Sequence, residues 1–118
     1  MHPWMIYLAG IIGGLFLIGL GLPMYMKKVK PNPVYGFRTR KTLSNEAVWY
    51  DANRYAGRCL ILTGVFGIVM CLAVFVLQRT GSLPPEFTLK YKAAVIGAGY
   101  MIAVILMLIF SLLHLRKL

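Results

Sequence analysis

Residues 27–58 read KKVKPNPVYGFRTRKTLSNEAVWYDANRYAGR, and this polar segment separates two apolar runs of the chain. It holds eight of the thirteen Lys and Arg residues and two of the three carboxylates. The apolar runs cover residues 4–22 and 59–77, and a third covers residues 93–113. A transmembrane helix needs about 20 mainly apolar residues, so each run is long enough to span a bilayer. The polar segment is therefore expected to lie at a membrane surface.

The composition also indicates a membrane protein. Of the 118 residues, 59% are hydrophobic and 14% are charged, and the mean hydropathy is +0.73. We predict an all-α membrane protein with a single domain over residues 1–118 and three transmembrane helices at about 4–26, 45–78 and 85–115. The apolar runs contain no Lys, Arg, Asp, Glu or His, which disfavours an ion or proton pathway through the bilayer. No Lys or Arg precedes the first run, so we expect a retained helix rather than a signal peptide.

The distribution of basic residues predicts the orientation. Beyond the eight in the polar segment, three lie in the connection over residues 78–92 and two in the C-terminal tail. The positive-inside bias then places the polar segment and the C-terminus in the cytoplasm, and the N-terminus and second connection outside. We attribute the net charge of +10 to this orientation and to contact with anionic lipids, rather than to nucleic-acid binding.

Cysteine and histidine usage predicts no metal, cofactor or disulfide. Cys59 and Cys71 are twelve residues apart on one predicted helix, too far to bond, and buried packing is their expected role. His2 and His114 are expected on opposite sides of the membrane. We expect no enzyme, since no nucleophile, base and orienting group occur at a recognisable spacing. Ser44, Asp51 and His114 are the residues that could meet on the cytoplasmic side to form such a group.

The first part of the polar segment is predicted to be an extended turn. Two prolines flank Asn32 and disfavour helix over residues 30–33, while Gly36 permits a tight reversal. Asn32 is expected to bond its own turn in preference to a ligand. Arg38 and Arg40 can hold phosphate or carboxylate through two parallel hydrogen bonds, and the alternative is a solvated headgroup contact.

The second part is predicted to begin the long second helix. Thr42, Ser44 and Asn45 are candidate N-caps, and Glu46 would lie in the first turn, where a carboxylate suits the helix dipole. No proline or turn cluster interrupts the chain from there to the end of the second apolar run. The helix is therefore expected to start near Asn45 and to continue through the membrane.

Helical spacing brings several polar residues of this helix to one side. At 100° per residue, one arc contains Glu46, Trp49, Tyr50, Asn53 and Gly57. Asp51 is spaced to pair with Arg54 at i+3, and Trp49 is expected to pack or anchor in preference to binding a ligand. We hypothesise that Arg38, Glu46, Trp49 and Asn53 tie the extended turn to the helix and form a fixed cytoplasmic platform.

Small residues predict close helix packing. Gly10 and Gly14 form a small-xxx-small pair in the first helix, and Pro23 is expected to kink or end that helix. In the second connection, Pro85 suits a helix start and Glu86 can pair with Lys90.

The string KxxPNPVYGFRTRxTLSNExxWxxANRYAGR, from Lys28 to Arg58, resembles the signature of the SdpI family of bacterial membrane proteins. The resemblance is carried by Asn32, Gly36, Arg38, Thr39, Trp49, Asn53 and Gly57. It implies a small integral protein of the bacterial cytoplasmic membrane, related to factors that give immunity or resistance to a membrane-active peptide toxin. In the family's namesake system the protein also senses the toxin and holds a transcriptional repressor at the membrane. The namesake is longer, with further spans before this module.

These observations predict an SdpI-like protein that confers immunity to, or senses, a peptide toxin, with a platform that binds a cytoplasmic regulator. The predicted platform residues are Asn32, Gly36, Arg38, Thr39, Glu46, Trp49, Asn53 and Arg54. The expected partners are anionic lipids, a peptide toxin, a cytoplasmic regulator and a second copy of the chain. The alternatives are a small oligomeric transporter or channel subunit, an anionic-lipid-binding protein and, ranked last, a lipid-modifying enzyme.

Overall fold

The computed structural model describes residues 3–84 and 89–118, and within those residues the chain is helical with one long connection. Its helices are α1 (Pro3–Tyr25), α2 (Arg40–Ser44), α3 (Glu46–Arg79) and α4 (Leu89–Arg116). Three of them, α1, α3 and α4, are long and apolar enough to span a membrane. The three predicted spans are thus confirmed by length and composition. The predicted helix start at Pro85 and the Glu86–Lys90 pair lie outside the described residues.

The long helix α3 is the axis of an elongated bundle of 54 × 22 × 20 Å. Its 34 residues, at about 1.5 Å each, run almost the whole length of the molecule. Both α1 and α4 pack along α3, and they contact one another much less than they contact α3. The connection of residues 26–45 and the C-terminus of α4 lie at the same end of the bundle, which we call the basic end.

Glycines let α1 and α3 pack with their backbones in contact. A Cβ on Gly57 would lie 2.6 Å from the carbonyl oxygen of Gly21, and one on Gly64 would lie 2.4 Å from that of Gly14. A Cβ on Gly10 would overlap a side chain of α3. Side chains at these positions would force the helices apart. The predicted packing role of Gly10 and Gly14 is confirmed.

The end of α1 turns the chain into the connection. Lys27 has φ +60°, its N–H donates to the Met24 carbonyl at 3.2 Å, and the Lys28 N–H donates to the Pro23 carbonyl at 2.9 Å. These two bonds form a Schellman motif with lysine in the left-handed position that glycine usually takes. Pro23 lies in the last turn, and the helix ends at Tyr25, as its proline predicts.

A polar contact ties the three long helices together at the opposite end. Lys92 is 4% exposed, and its ammonium group donates to Gln78 Oε1 at 2.8 Å. The Tyr7 hydroxyl donates to the same oxygen. Cys71 is fully buried in the apolar cluster beside Tyr7, and Cys59 is partly exposed. Both thiols are free. The packing role predicted for Cys71 is confirmed.

Candidate functional site

Asn32 organises the first turn of the connection. Its Oδ1 accepts the backbone N–H groups of Val34 at 2.9 Å and Tyr35 at 2.7 Å. Its Nδ2 donates to the carbonyls of Lys30 at 2.7 Å and Tyr35 at 3.0 Å. The amide therefore uses both of its N–H donors and both acceptor sites of its oxygen on local backbone. Asn32 bonds its own turn, as expected, and is not available to a ligand.

Trp49 of α3 anchors the connection to that helix. Its side chain is fully buried, and its Nε1–H donates to the Val29 carbonyl at 2.8 Å. Its ring packs against the backbone at Gly36, where a Cβ would come within 3.2 Å of two ring carbons. Met24 and Ala56 complete the apolar cluster around Val29. Trp49 is therefore a packing residue, which confirms the preferred interpretation.

Asn53, one turn further along α3, holds the connection through its backbone. Its Oδ1 accepts the Phe37 N–H at 2.7 Å, and its Nδ2 donates to the carbonyls of Phe37 at 3.3 Å and Trp49 at 2.9 Å. The side chain is 1% exposed. Gly36 has φ +117°, and a Cβ there would lie 2.6 Å from Asn53 Oδ1. Glycine is thus required both for the turn and for the approach to Asn53.

The short helix α2 was not predicted, and Thr39 begins it. The Thr39 hydroxyl oxygen accepts the Thr42 N–H at 3.1 Å, and the Thr39 N–H donates to the Thr42 hydroxyl oxygen at 2.7 Å. This reciprocal pair is a capping box in which threonine replaces the usual Glu or Gln. The Thr-x-x-Thr spacing was the available signal. Thr42, a predicted cap of the long second helix, is instead a fully buried residue of α2.

Both ends of α2 are joined to other helices. The Lys41 ammonium group donates to the Leu115 carbonyl at the end of α4, at 2.9 Å. Asn45 caps α3 by accepting two backbone N–H groups of its first turn, at 2.9 and 3.2 Å. The predicted helix start at Asn45 is confirmed. The Ser44 hydroxyl donates to the Lys41 carbonyl at 2.7 Å and caps nothing.

Two predicted members of the tie between connection and helix do not take part in it. The Arg38 guanidinium donates to the Pro33 carbonyl, within the connection, and the side chain is exposed. Glu46 lies exposed in the first turn of α3. The hypothesis is therefore corrected: Trp49 and Asn53 make the tie. Arg38 and Glu46 are instead exposed at the surface.

A second polar cluster lies beside the first, and it changes one predicted pair. Asp51 contacts His114 of α4, with 2.7 Å between Oδ1 and Nε2, and the His114 ring stacks on Tyr55 with centroids 4.2 Å apart. The Arg54 guanidinium carbon lies 5.2 Å from the ring centroid of Tyr25. The predicted Asp51–Arg54 pair is thus wrong, because α4 and α1 supply other partners for the two side chains.

These residues line a polar cavity of about 280 Å³ at the basic end. Its lining consists of Tyr25, Asp51, Arg54, Tyr55, Arg58 and His114. Arg54, which was predicted to belong to the platform, lines this cavity instead. Asp51 and His114 meet here, whereas Ser44 bonds to Lys41. Among residues 3–84 and 89–118, no three His, Cys, Asp or Glu side chains are grouped to hold a metal ion.

An apolar cavity of about 280 Å³ lies beneath Gly36, between the connection and the three long helices. The Tyr35 hydroxyl at its edge donates to the Leu20 carbonyl, and burial raises the pKa of the Tyr35 phenol above its usual value. Ser111 of α4 lines the same cavity, and its side chain is buried.

The sequence profile of the SdpI/YfhL protein family matches residues 28–114. This chain belongs to the SdpI family. The match begins in the connection, three residues after α1 ends, and closes at His114. It thus includes every residue of the tie formed by Trp49 and Asn53, and the α4 side of the polar cavity.

A relative from Bacillus subtilis (strain 168) carries the description "Uncharacterized protein YfhL". It is 34% identical to this chain over an alignment of 76 positions, and the alignment covers 60% of this chain and 69% of the relative. No solved structure matches the chain. Family membership and the three spans together make this a multi-pass membrane protein of the SdpI family.

Proposed function

We propose that this SdpI-family protein confers immunity to, or senses, a membrane-active peptide toxin at a bacterial cytoplasmic membrane. In this proposal residues 29–45, held by Trp49 and Asn53, form a platform on the cytoplasmic side that binds a regulator. The observation that carries the proposal is that an irregular segment is fixed on α3 by side chains that are at most 1% exposed. Family membership supports the immunity or sensing role.

The outer surface of the platform has the composition of a binding surface. Val34 is 81% exposed and Leu43 is 51% exposed, and the exposed Arg38 and Arg40 lie between them in the chain. Arginine is enriched at protein interfaces, and the exposed apolar side chains beside it offer area that a partner can bury. A segment already fixed before binding loses little conformational freedom when a partner docks. These features support docking of a protein or peptide.

The distribution of charge supports the proposed cytoplasmic placement of the platform. The connection and the adjoining turns of α3 carry most of the basic residues of the chain, while the connection after α3 carries few. Basic residues close to a span favour the cytoplasmic side of a membrane. A cytoplasmic regulator could then reach the platform while a toxin contacts the spans.

A survival assay tests the proposal. The wild-type chain, expressed in a toxin-sensitive bacterium, is expected to raise survival against at least one peptide of a panel. The regulator is tested by co-purification with the chain from membranes. Val34→Asp with Arg38→Ala should abolish this co-purification without loss of the membrane protein itself, because both changes lie on the exposed surface. Arg79→Ala, at the opposite end of the bundle, is the control. Unchanged killing by every peptide would refute the immunity role.

A further inference from the structure

We propose that one anionic phospholipid binds between α3 and α4, with its phosphate in the polar cavity and an acyl chain in the apolar groove below it. The α3–α4 groove encloses about 260 Å³. It is lined by Cys59, Leu62, Thr63, Phe66, Ile102, Ala103, Leu106, Met107 and Phe110. This site is independent of the toxin-immunity proposal.

The cationic wall of the cavity suits a phosphate group. Arg54 and Arg58 are exposed and one helical turn apart, so their side chains lie on one face of α3. The Arg54 guanidinium is held over the Tyr25 ring, which limits its orientations before a ligand arrives. Two guanidinium groups on one face can each donate parallel hydrogen bonds to phosphate oxygens.

The other polar residues that line the cavity are compatible with an anion. Asp51 is the only carboxylate among the lining residues, and His114 contacts it at 2.7 Å. His114 is also fixed by stacking on Tyr55, with 3° between the rings. The single carboxylate is therefore engaged by its own partner, and the two guanidinium groups outnumber it.

The position of the cavity favours a lipid over a free phosphate ion. Arg58 directly precedes the apolar run of α3, and Tyr25 is the last residue of α1, so the cavity is expected at headgroup depth. Leu62 and Phe66 continue the row of Arg54 and Arg58 at four-residue spacing. Both are about half exposed and both line the α3–α4 groove. Charge above and an apolar groove below match the two parts of a phospholipid.

Native mass spectrometry of the full chain in mild detergent tests this inference. With equal phosphatidylglycerol and phosphatidylcholine, we expect one bound phosphatidylglycerol in preference to phosphatidylcholine. Arg54→Gln with Arg58→Gln should weaken that binding at least about 10-fold. The control, Lys28→Gln with Lys30→Gln, removes the same charge from exposed positions at the same end and should change binding less than about 3-fold.

Two further arms separate the parts of the site. Ala103→Phe fills the groove and should weaken phosphatidylglycerol binding while leaving the arginines intact. Arg54→Lys with Arg58→Lys keeps the charge and should still lose affinity, because lysine cannot donate two parallel bonds. Unchanged binding in the lysine variant would overturn the guanidinium assignment even where the glutamine variant fails to fold.

The remaining outcomes are decisive as well. If Lys28→Gln with Lys30→Gln weakened phosphatidylglycerol binding as much as Arg54→Gln with Arg58→Gln, the lipid would be responding to general surface charge. That result would overturn the site. Displacement of the lipid by excess inorganic phosphate, with direct phosphate binding, would make free phosphate the ligand and overturn the lipid. Retention of phosphatidylglycerol in excess phosphate, with loss in Ala103→Phe, would support the lipid.

Discussion

Replacing Asn53 with alanine should detach the connection from α3 while leaving the spans in place. The change removes the acceptor of the Phe37 N–H and the donor to the carbonyls of Phe37 and Trp49. An orphaned donor costs about 1–3 kcal/mol, and each of the other two bonds is worth about 0.5–1.5 kcal/mol. We therefore expect residues 29–42 to lose about 3 kcal/mol of local stability, which corresponds to roughly 100-fold faster opening.

Hydrogen–deuterium exchange in detergent or nanodiscs measures this opening. Asn53→Ala should speed exchange over residues 29–42 about 100-fold, with α3 beyond Gly57 unchanged. Asn45→Ala is the matched control, because it removes an asparagine cap whose two bonds are exposed and costs about 1 kcal/mol at the start of α3 alone. Equal exchange in the wild type and in Asn53→Ala would refute the structural role given to Asn53.

Three further changes test other contacts. Gly57→Ala places a Cβ 2.6 Å from α1 backbone atoms and should destabilise the bundle by about 2 kcal/mol or more, whereas Gly13→Ala, with open space around it, should be neutral; unfolding midpoints in detergent compare the two. His114→Ala should cost only about 1 kcal/mol, because its partly exposed contact with Asp51 and its ring stack on Tyr55 are weak, and a larger loss in the same assay would contradict this minor role of His114. Because burial raises the pKa of Tyr35, its stabilising contribution is complete below about pH 10 and is lost as pH rises further, so Tyr35→Phe should remove part of the loss of exchange protection above about pH 10.

The spans and the local features of the connection were predictable from the sequence. Hydropathy identifies α1, α3 and α4 because each run is long and free of charge. Asn32 between two prolines predicts a self-bonded turn, and Asn45 before Glu46 predicts a helix start. The turn and the helix start each depend on residues close together in the chain, and each span depends on one contiguous apolar run, so a local pattern contains the information.

The partners of Asp51 and Arg54 were not predictable in the same way. Helical spacing places the two side chains within reach of each other, but His114 is 63 positions from Asp51 and Tyr25 belongs to α1. Only the packing of α1 and α4 on α3 brings those partners near. The polar cavity therefore could not be assembled from periodicity, although each aromatic residue near a span boundary was a partial signal.

The helix α2 was missed for a different reason. Five residues form little more than one turn, which is too short for hydrophobic periodicity to register. Its capping box uses Thr42 where Glu or Gln is usual, and the adjoining Lys41 bonds to α4 only in the folded chain. Burial of Thr42 then stabilises α2, and this burial depends on the tertiary structure and not on the local sequence.

Cysteine labelling in intact cells tests most directly whether the platform lies on the cytoplasmic side of the membrane. Val34→Cys and Ser82→Cys, both at exposed positions at opposite ends of the bundle, can be treated in intact cells with a membrane-impermeant maleimide in a background without Cys59 and Cys71. We predict that Ser82→Cys reacts at once and that Val34→Cys reacts only after the membrane is opened. Labelling of Val34→Cys in intact cells would contradict the cytoplasmic platform.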